Sequence, residues 1–203
     1  MIPLAFHLSG RKVLVIGAGR VAEAKWKLLL DEGAVVTVIS PEALVSIPDA
    51  VTYLPRRYHA GDLDGFVLVI VAVGDNVVNA AVVAEAQQRG IWINVVDNPS
   101  LCDFYFTAVH RDGDVVISVS SSGSAPALAQ AIRDRIRLLL PHHLGEVAGT
   151  LRRERDLLHA EGESTEDFSW RERIEELLTE PQARISAVSG VGPVGIEPTT
   201  KGL

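Results

Sequence analysis

Short apolar runs recur along the first half of the chain, and each has the length of one strand. The runs lie at 12–16, 35–39, 66–73 and 91–96, with a weaker run at 51–54. They are rich in β-branched residues and apolar at successive positions, which is typical of parallel strands covered on both faces. The pattern therefore predicts a buried, mostly parallel sheet.

Helical patterns separate these runs. The pattern at 21–32 places Ala24, Leu28 and Leu29 on one face, and a second pattern of the same spacing lies at 77–89. A glycine follows each pattern and can end the helix in a left-handed cap. Alternating strands and helices predict an α/β domain of Rossmann type, a doubly wound parallel sheet with right-handed crossovers.

Beyond this sheet the pattern predicts a small α+β dimerisation region and then a C-terminal helical lobe. The predicted strands are 103–109 and 115–119, and the predicted helices are about 127–140, 143–159 and 168–178. Leucines that no predicted sheet covers indicate a separate lobe or a dimer surface, and they are Leu138, Leu139, Leu140, Leu157 and Leu158. We expect domains at 1–110 and 111–180 and a disordered tail at 181–203.

The composition is that of a folded chain. Of the 203 residues 47% are hydrophobic, which excludes a disordered protein, and the single Cys102 excludes a disulfide framework or a cysteine-based zinc site. No apolar run reaches the roughly 20 residues of a membrane span, and no signal peptide is evident, so we expect a cytoplasmic protein that binds no membrane. The net charge of −7 argues against nucleic acid as a partner.

The segment Gly17-Ala-Gly-Arg-Val-Ala22 follows the first strand, opens the first helix and matches G-x-G-x-x-A. In a dinucleotide site Gly17 allows the tight turn, and Gly19 removes a side chain where the diphosphate approaches. The helix N-terminus supplies N–H groups and a positive dipole end to the phosphates. The alternative is a glycine turn with a purely structural role.

The second strand ends in Ile39-Ser-Pro-Glu42, near the position where NAD-binding sheets carry an acidic residue for the ribose. Glu42 either reaches a ribose hydroxyl or belongs to the solvated first turn of a short helix. No Lys or Arg occurs at 40–44 to hold a 2′-phosphate. The segment therefore favours NAD over NADP.

Asp97 follows the last of the predicted parallel strands, in Asn94-Val-Val-Asp97-Asn-Pro99, at the edge where open α/β sheets bind ligands. A carboxylate near a low-dielectric cleft can accept a proton from a substrate. The alternative is a turn-initiating Asp, which is common before Asn-Pro.

Four serines lie directly before a predicted helix, and they are Ser120, Ser121, Ser122 and Ser124. Hydroxyls and free N–H groups at a helix N-terminus make an anion site, so we expect them to bind a carboxylate. The alternative is an N-cap within a flexible loop, which needs only one serine. The six histidines show no metal-ligand spacing, and we expect no fixed metal site.

Several of these features occur together in one known family. In chain order they are the glycine motif at 17–22, Lys25, Gly33-Ala34, Asp75, Asn79, Asn94-Val-Val-Asp97, Phe104, the serine segment 120–126, Ala129 and Arg133. Over about residues 1–160 the chain resembles the precorrin-2 dehydrogenase family of siroheme biosynthesis, which includes the N-terminal module of siroheme synthases. The segments at 94–97 and 121–129 are more specific than the glycine motif.

The resemblance implies an NAD-dependent oxidation of precorrin-2 to sirohydrochlorin by a homodimer. It matches Asp97 with the family's proposed catalytic aspartate and Ser121 with a serine of the tetrapyrrole site, within the region 111–180. The residues that it aligns with cofactor contacts are Arg20, Val21, Pro41 and Glu42. Some members of the family also insert iron into sirohydrochlorin, and the sequence leaves open whether this chain does.

Two other functions explain parts of the chain. A non-enzymatic NAD-sensing Rossmann module would explain residues 1–96 but neither Asp97 nor the serines. A reductase of a small substrate would need a catalytic pair such as Tyr–Lys, and none is evident around Tyr53, Tyr58 and Tyr105.

Overall fold

The computed structural model of the chain describes residues 2–164 and 168–179. The chain forms two compact units that divide between Phe106 and Thr107. The expected boundary after residue 110 would instead cut a strand, Ala108–Asp112, whose ladder of hydrogen bonds runs along its whole length. The expected tail at 181–203 lies outside the described residues.

The first unit is built on a parallel sheet of five strands in the order β3-β2-β1-β4-β5. The strands are β1 (Lys12–Ile16), β2 (Val35–Ile39), β3 (Thr52–Leu54), β4 (Leu68–Val71) and β5 (Trp92–Val95). Helix α1 (Arg20–Asp31) connects β1 to β2, and α2 (Asn76–Arg89) connects β4 to β5. The predicted Rossmann-type α/β fold is confirmed. Its winding reverses between β1 and β4, and sheets of this kind bind ligands where it reverses.

The central strand β1 sends alternate side chains to the two faces of the sheet. Val13 and Val15 join a core cluster that includes Trp26 of α1, whereas Leu14 joins a second cluster that includes Val82 of α2. All five side chains are fully buried. The two helices therefore cover opposite faces of the sheet, which explains why its strands are apolar at successive positions.

Helix α1 buries a different face from the predicted one. Its buried residues are Ala22, Trp26 and Leu29, whereas Leu28 is 51% exposed and Ala24 is exposed as well. The predicted face is confirmed for Leu29 and wrong for Ala24 and Leu28, because it leaves out Trp26. This indole is the largest side chain of the helix, and burying it sets the rotation of the helix about its axis.

The loop between β3 and β4 is held on α2 by one buried carboxylate. Glu85 accepts hydrogen bonds from the Tyr58 hydroxyl and from the N–H groups of Gly61 (2.9 Å) and Leu63 (3.3 Å). It also pairs with Arg89 Nε at 2.8 Å. Burial by itself would raise the pKa of Glu85, but these hydrogen bonds and the Arg89 charge outweigh it and hold the pKa below its ordinary value.

The second unit starts with two antiparallel strands, and three helices follow. Its elements are β6 (Ala108–Asp112), β7 (Val115–Val119), α3 (Pro126–Leu139), α4 (Leu144–Ala160) and α5 (Trp170–Thr179). Helix α3 packs on both strands, and α4 packs on α5 through a small core of Val147 and Leu177. Leu138 and Leu139, on α3, are 80% and 84% exposed. No helix within the described ranges combines the length and hydropathy that crossing a bilayer requires.

The strand predicted at 103–109 begins only at Ala108. The residues before it contact the strand β5 and the core of the first unit. Asp103 accepts a hydrogen bond from Ile93 N–H of β5 at 3.1 Å, and Phe104 and Phe106 pack against the core cluster under α1. Their apolar character comes from this packing and not from a strand of the second unit.

We expect Glu85→Ala to lower the free energy of unfolding by about 3 kcal/mol, because it leaves buried donors of the loop and Arg89 without their acceptor. Chemical denaturation at neutral pH measures this change. Gln88→Ala, on the exposed side of the same helix, is the control and should change stability by less than about 0.5 kcal/mol.

The Glu85 contribution should also depend on pH. Since the folded-state pKa lies below the unfolded-state value, the contribution is complete above the unfolded pKa and is lost as the pH falls through the folded pKa. Glu85→Gln should therefore reduce the loss of stability on acidification. Parallel stability curves for this variant and the wild type would contradict this assignment.

Candidate dinucleotide site

The turn after β1 depends on a glycine at position 17 for reasons internal to the fold. Gly17 has a φ of +109°, and a Cβ there would lie 2.5 Å from the carbonyl oxygen of Ala72, just after β4. Its N–H also donates to the Ile39 carbonyl at 2.8 Å, which continues the pairing of β1 with β2. A side chain at Gly17 would therefore force apart strands that lie next to each other in the sheet.

Gly19 has a different reason to be glycine. Its φ is −96°, which every residue adopts, and a Cβ there would meet no atom within 4 Å. Packing within the described protein thus places no demand for glycine at this position. A ligand that approaches the start of α1 does, and the open space at Gly19 fits the diphosphate of a dinucleotide.

The start of α1 offers donors to such a ligand. No side chain in the described ranges caps this helix, and its first internal hydrogen bond runs from Glu23 N–H to the Gly19 carbonyl at 2.9 Å. The N–H groups of the three preceding residues therefore have no acceptor within the helix. Arg20 and Val21, both exposed, belong to this first turn. Together with the helix dipole, this turn favours a negatively charged group.

Helix α2 begins at the same edge of the sheet but is already neutralised. Its N-cap, Asp75, accepts hydrogen bonds from the N–H groups of Val77 (2.9 Å) and Val78 (3.3 Å). The carboxylate thus occupies the position that a phosphate would take. Of the two helices that start beside the reversal point, only α1 is left open to an external anion.

The end of β2 places the predicted ribose partner on the surface. Ser40 lies at the strand tip, where its hydroxyl donates to the Glu42 carbonyl at 2.7 Å and its carbonyl accepts from Tyr53 Oη at 2.9 Å. Pro41 and Glu42 are exposed, and the Glu42 carboxylate makes no hydrogen bond or ion pair within the described residues. No helix follows Pro41 there, so the interpretation of Glu42 as a first helical turn is wrong. Its contact with a ribose stays a prediction.

Asp97 lies two residues beyond β5 in a left-handed conformation, with φ of +60°. Its side chain is exposed and makes no hydrogen bond or ion pair with the described part of the chain. A turn-initiating Asp would bind a backbone N–H through its carboxylate, and this one does not. The chain therefore presents a free carboxylate at the ligand-binding edge of the sheet, in a backbone conformation that is costly for most residues.

Asn79 is a polar residue of this edge to which the sequence assigned no role. It is only 6% exposed, and its Oδ1 has no hydrogen-bond partner among the described residues. It extends the buried stripe of α2, which also contains Val82, Val83, Glu85 and Ala86, toward the start of the helix. A polar residue at a helical spacing that buries its side chain is the signal that could have identified it. A ligand hydroxyl or amide that donates to Oδ1 would remove the cost of the unpaired oxygen.

The serines lie in the second unit, and three of them shape their own loop. Ser121 Oγ accepts from Ala125 N–H at 3.0 Å, Ser120 Oγ accepts from Ser122 N–H at 3.1 Å, and Ser124 Oγ donates to the Ser121 carbonyl at 2.5 Å. Ser122 has a φ of +54° and an exposed side chain. Among the residues that the structure describes, no side chain caps α3. The loop thus has the internal bonds of a structural turn and still leaves the start of α3 open to an anion.

Residues predicted for the cofactor and for catalysis therefore share one edge of one sheet. Gly17 and Gly19 follow β1, Pro41 and Glu42 follow β2, and Asp97 follows β5. Because the strands are parallel, all of these positions lie at the same carboxyl edge. No group of three or more potential metal ligands occurs among the residues that the structure describes.

A family model described as putative NAD(P)-binding matches residues 4–108. This range contains nearly all of the first unit, including the glycine turn, Glu42 and Asp97. The expected NAD-type cofactor is confirmed by this match at the level of the domain, and the contacts of individual residues stay predictions.

Two proteins illustrate the likeness to curated relatives. The chain is 42% identical to a siroheme synthase of Azotobacter vinelandii over 159 residues, which are 76% of this chain and 34% of that protein. It is also 42% identical to a siroheme synthase of Tolumonas auensis over 150 residues, which are 72% of this chain and 32% of that protein. The chain spans about a third of the length of these relatives.

A solved structure described as SirC, precorrin-2 dehydrogenase, matches the chain with a TM-score of 0.65 at 25% sequence identity. The match covers 93% of this chain and 94% of that chain. It therefore extends beyond the dinucleotide-binding sheet into the second unit.

We expect Gly19→Asp to weaken NAD binding by at least about 100-fold, because its carboxylate would enter the space left for the diphosphate and repel it. Isothermal titration calorimetry measures the affinity, and thermal unfolding should show a stability close to that of the wild type. Ala84→Asp adds the same charge on an exposed position of α2 and should leave NAD affinity unchanged.

Substitution of Gly17, the other glycine of this turn, should affect the stability of the fold. Gly17→Ala places a methyl group against the Ala72 carbonyl at an unfavourable φ, so it should lower the free energy of unfolding by more than about 1 kcal/mol.

Undiminished NAD affinity in Gly19→Asp would contradict the assignment of the diphosphate site.

Proposed function

We propose that the chain, which belongs to the putative NAD(P)-binding family and is similar to siroheme synthases and to a precorrin-2 dehydrogenase, oxidises precorrin-2 to sirohydrochlorin with NAD. The observation that carries the proposal is the presence of two suitable groups at the same edge of the sheet. An open helix N-terminus at Gly19 and an unpaired carboxylate at Asp97 both lie there. The first suits the cofactor phosphates, and the second suits a proton acceptor.

Holding the cofactor falls to residues of the first unit. The N–H groups of the first turn of α1, at Arg20 and Val21, would bind the diphosphate, with Gly17 and Gly19 leaving room for it. Glu42 would accept from a ribose hydroxyl beside Pro41. NAD is preferred over NADP, because a carboxylate at this position repels a 2′-phosphate and no cation occurs at 40–44.

The reaction removes one hydride and one proton from the tetrapyrrole. NAD, when bound, supplies the acceptor for the hydride and its electron pair. Asp97 would take the proton on its carboxylate, which no hydrogen bond within the described chain occupies. General-base assistance of this kind typically contributes 10²–10⁴-fold to a rate. Positioning of the substrate against the cofactor supplies much of the remainder.

Binding of the substrate would involve the serine loop of the second unit. Precorrin-2 is a polycarboxylate, and the loop combines hydroxyls with the uncapped start of α3. Ser122 is the member whose hydroxyl is not used inside the loop, whereas Ser120, Ser121 and Ser124 keep the loop in shape. We assign carboxylate binding to the loop as a whole.

We further propose that the active form is a cytoplasmic homodimer that binds neither nucleic acid nor membrane. The support for a dimer is the apolar surface of α3, where Leu128, Ile132, Leu138 and Leu139 are exposed. The net charge of −7 supports the absence of nucleic-acid binding, and the single cysteine fits a reducing cytoplasm. Sedimentation velocity distinguishes a dimer from a monomer.

The function is tested by incubating the protein with NAD and enzymatically made precorrin-2. NADH absorbance should rise while the tetrapyrrole spectrum changes. NADH and sirohydrochlorin should form in equal molar amounts. NADP should support a slower reaction. If NAD binds but neither signal changes, the NAD-sensing module becomes the better description. Adding Fe²⁺ after the oxidation tests whether the protein also inserts the metal.

We expect Asp97→Asn to lower kcat by roughly 100-fold, because the amide cannot accept the proton. NAD affinity should stay within about twofold of the wild type, since no cofactor contact is assigned to Asp97. Steady-state kinetics and calorimetry measure the two quantities. Asp31→Asn, at the far end of α1, removes an acidic group remote from this edge and serves as the control. A kcat equal to that of the wild type would reduce Asp97 to a turn residue.

A further inference from the structure

The single cysteine of the chain lies at the centre of the turn that carries Asp97. Cys102 Sγ lies 3.2 Å from the Val95 carbonyl and 3.3 Å from the Asn98 carbonyl, and it also accepts from Val95 N–H at 3.2 Å. Asn94 Nδ2 approaches the same sulfur at 3.5 Å. One partly buried thiol therefore contacts the backbone on both sides of Asp97.

These contacts replace a strand that the sheet does not have. Strand β5 is at the edge of the sheet, and an unpaired edge leaves N–H and C=O groups without partners. The Asp103 carboxylate accepts from Ile93 N–H (3.1 Å), and Asp103 N–H donates to the Ile93 carbonyl (2.9 Å). Cys102 Sγ in turn contacts both the N–H and the carbonyl of Val95. The segment 102–103 thus closes the end of β5 at the point where the chain turns into Asp97.

The thiol is in the protonation state that this role requires. Burial raises the pKa of Cys102, so the sulfur keeps its hydrogen at neutral pH and donates it to a carbonyl. A thiol also accepts weakly, as it does here from Val95 N–H. The single S–H can point to either of two carbonyls that are three residues apart in the chain.

Asp97 needs such support. Its φ of +60° lies in a region that non-glycine residues enter at a cost, and its own side chain makes no bond with the described residues that would hold it there. A backbone hydrogen bond from Asn98 N–H to the Val95 carbonyl (3.2 Å) closes the turn around Asp97. The side-chain bonds from Ser100 Oγ to Asn98 Oδ1 and from Tyr105 Oη to the Pro99 carbonyl lie on the far side of Asp97. Of the described side chains that bond within this turn, Cys102 is the one that contacts both Val95 and Asn98, and it thereby reinforces the backbone bond.

We infer that Cys102 is a positioning residue for Asp97, which keeps the carboxylate at the ligand-binding edge by holding the carbonyls of Val95 and Asn98 together. The inference rests on the proposed function, because it assigns Cys102 to the reaction through Asp97. It assigns the sulfur no chemistry of its own.

The test compares two variants of the cysteine. Cys102→Val keeps an apolar side chain but removes the donor and acceptor, and it should lower kcat by about tenfold with little change in NAD affinity. Cys102→Ser keeps both and should recover most of kcat. Ser100→Ala removes a hydrogen bond from the same turn without affecting the flanking carbonyls, and it should leave kcat unchanged.

A double variant separates positioning from general stability. If Cys102 acts through Asp97, Cys102→Val should cost nothing further in the Asp97→Asn background. A further tenfold loss in the double variant would overturn the inference. So would a Cys102→Ser protein as slow as Cys102→Val, since then the hydrogen bonds would not matter.

An NMR readout keeps this test separate from the enzymatic proposal. In ¹⁵N spectra, Cys102→Val should shift the Asp97 and Asn98 amides strongly, and Ser100→Ala should leave the Asp97 amide nearly unmoved. If the wild type fails to oxidise precorrin-2 but these shifts occur, the proposed function fails and the hold of Cys102 on the turn stands. If the wild type is active and the Asp97 amide does not move, the positioning inference fails alone.

Discussion

The close contact between the Gly17 turn and the end of β4 is the constraint on which the rest of the first unit depends. The space that a Cβ of Gly17 would occupy is taken by the Ala72 carbonyl, so β1 and β4 can lie this close without strain only with glycine there. Because β1 and β4 are adjacent, the direction in which successive strands are added to the sheet reverses between them. The Gly17 turn also aims the start of α1 at the carboxyl edge, where ligands of such sheets bind.

Electrostatics then favour one helix as the candidate site of an anionic ligand. Two helices begin beside the reversal, and each presents N–H groups without intrahelical acceptors. Asp75 satisfies those of α2 from within the chain, whereas α1 has only Gly19 at its N-cap. The difference of one side chain leaves a single uncompensated positive end at this edge. A dinucleotide diphosphate placed there also lies on the side of the sheet that carries Glu42 and Asp97.

The far edge of the sheet is closed by side chains instead of a further strand. Cys102 and Asp103 form hydrogen bonds with the backbone groups along the open edge of β5, and the aromatic residues that follow pack under α1. This explains why the stretch from Asp103 resembles a strand in the sequence, although the strand of the fold begins only at Ala108. The same contacts hold the turn at Asp97, so the end of the sheet and the candidate base share one set of hydrogen bonds.

From the sequence alone came the parallel sheet, the diphosphate turn and the candidate carboxylate, because each depends on a local pattern: apolar runs, glycine spacing, and an Asp at a strand end. The family resemblance came from the same short segments. The rotation of α1 did not, since it follows from burying Trp26 against strands that are distant in the chain. The unpaired state of Asp97 and its support by Cys102 also needed the tertiary structure. Hydrogen bonds of that kind depend on distances between atoms, and a sequence lists only residues.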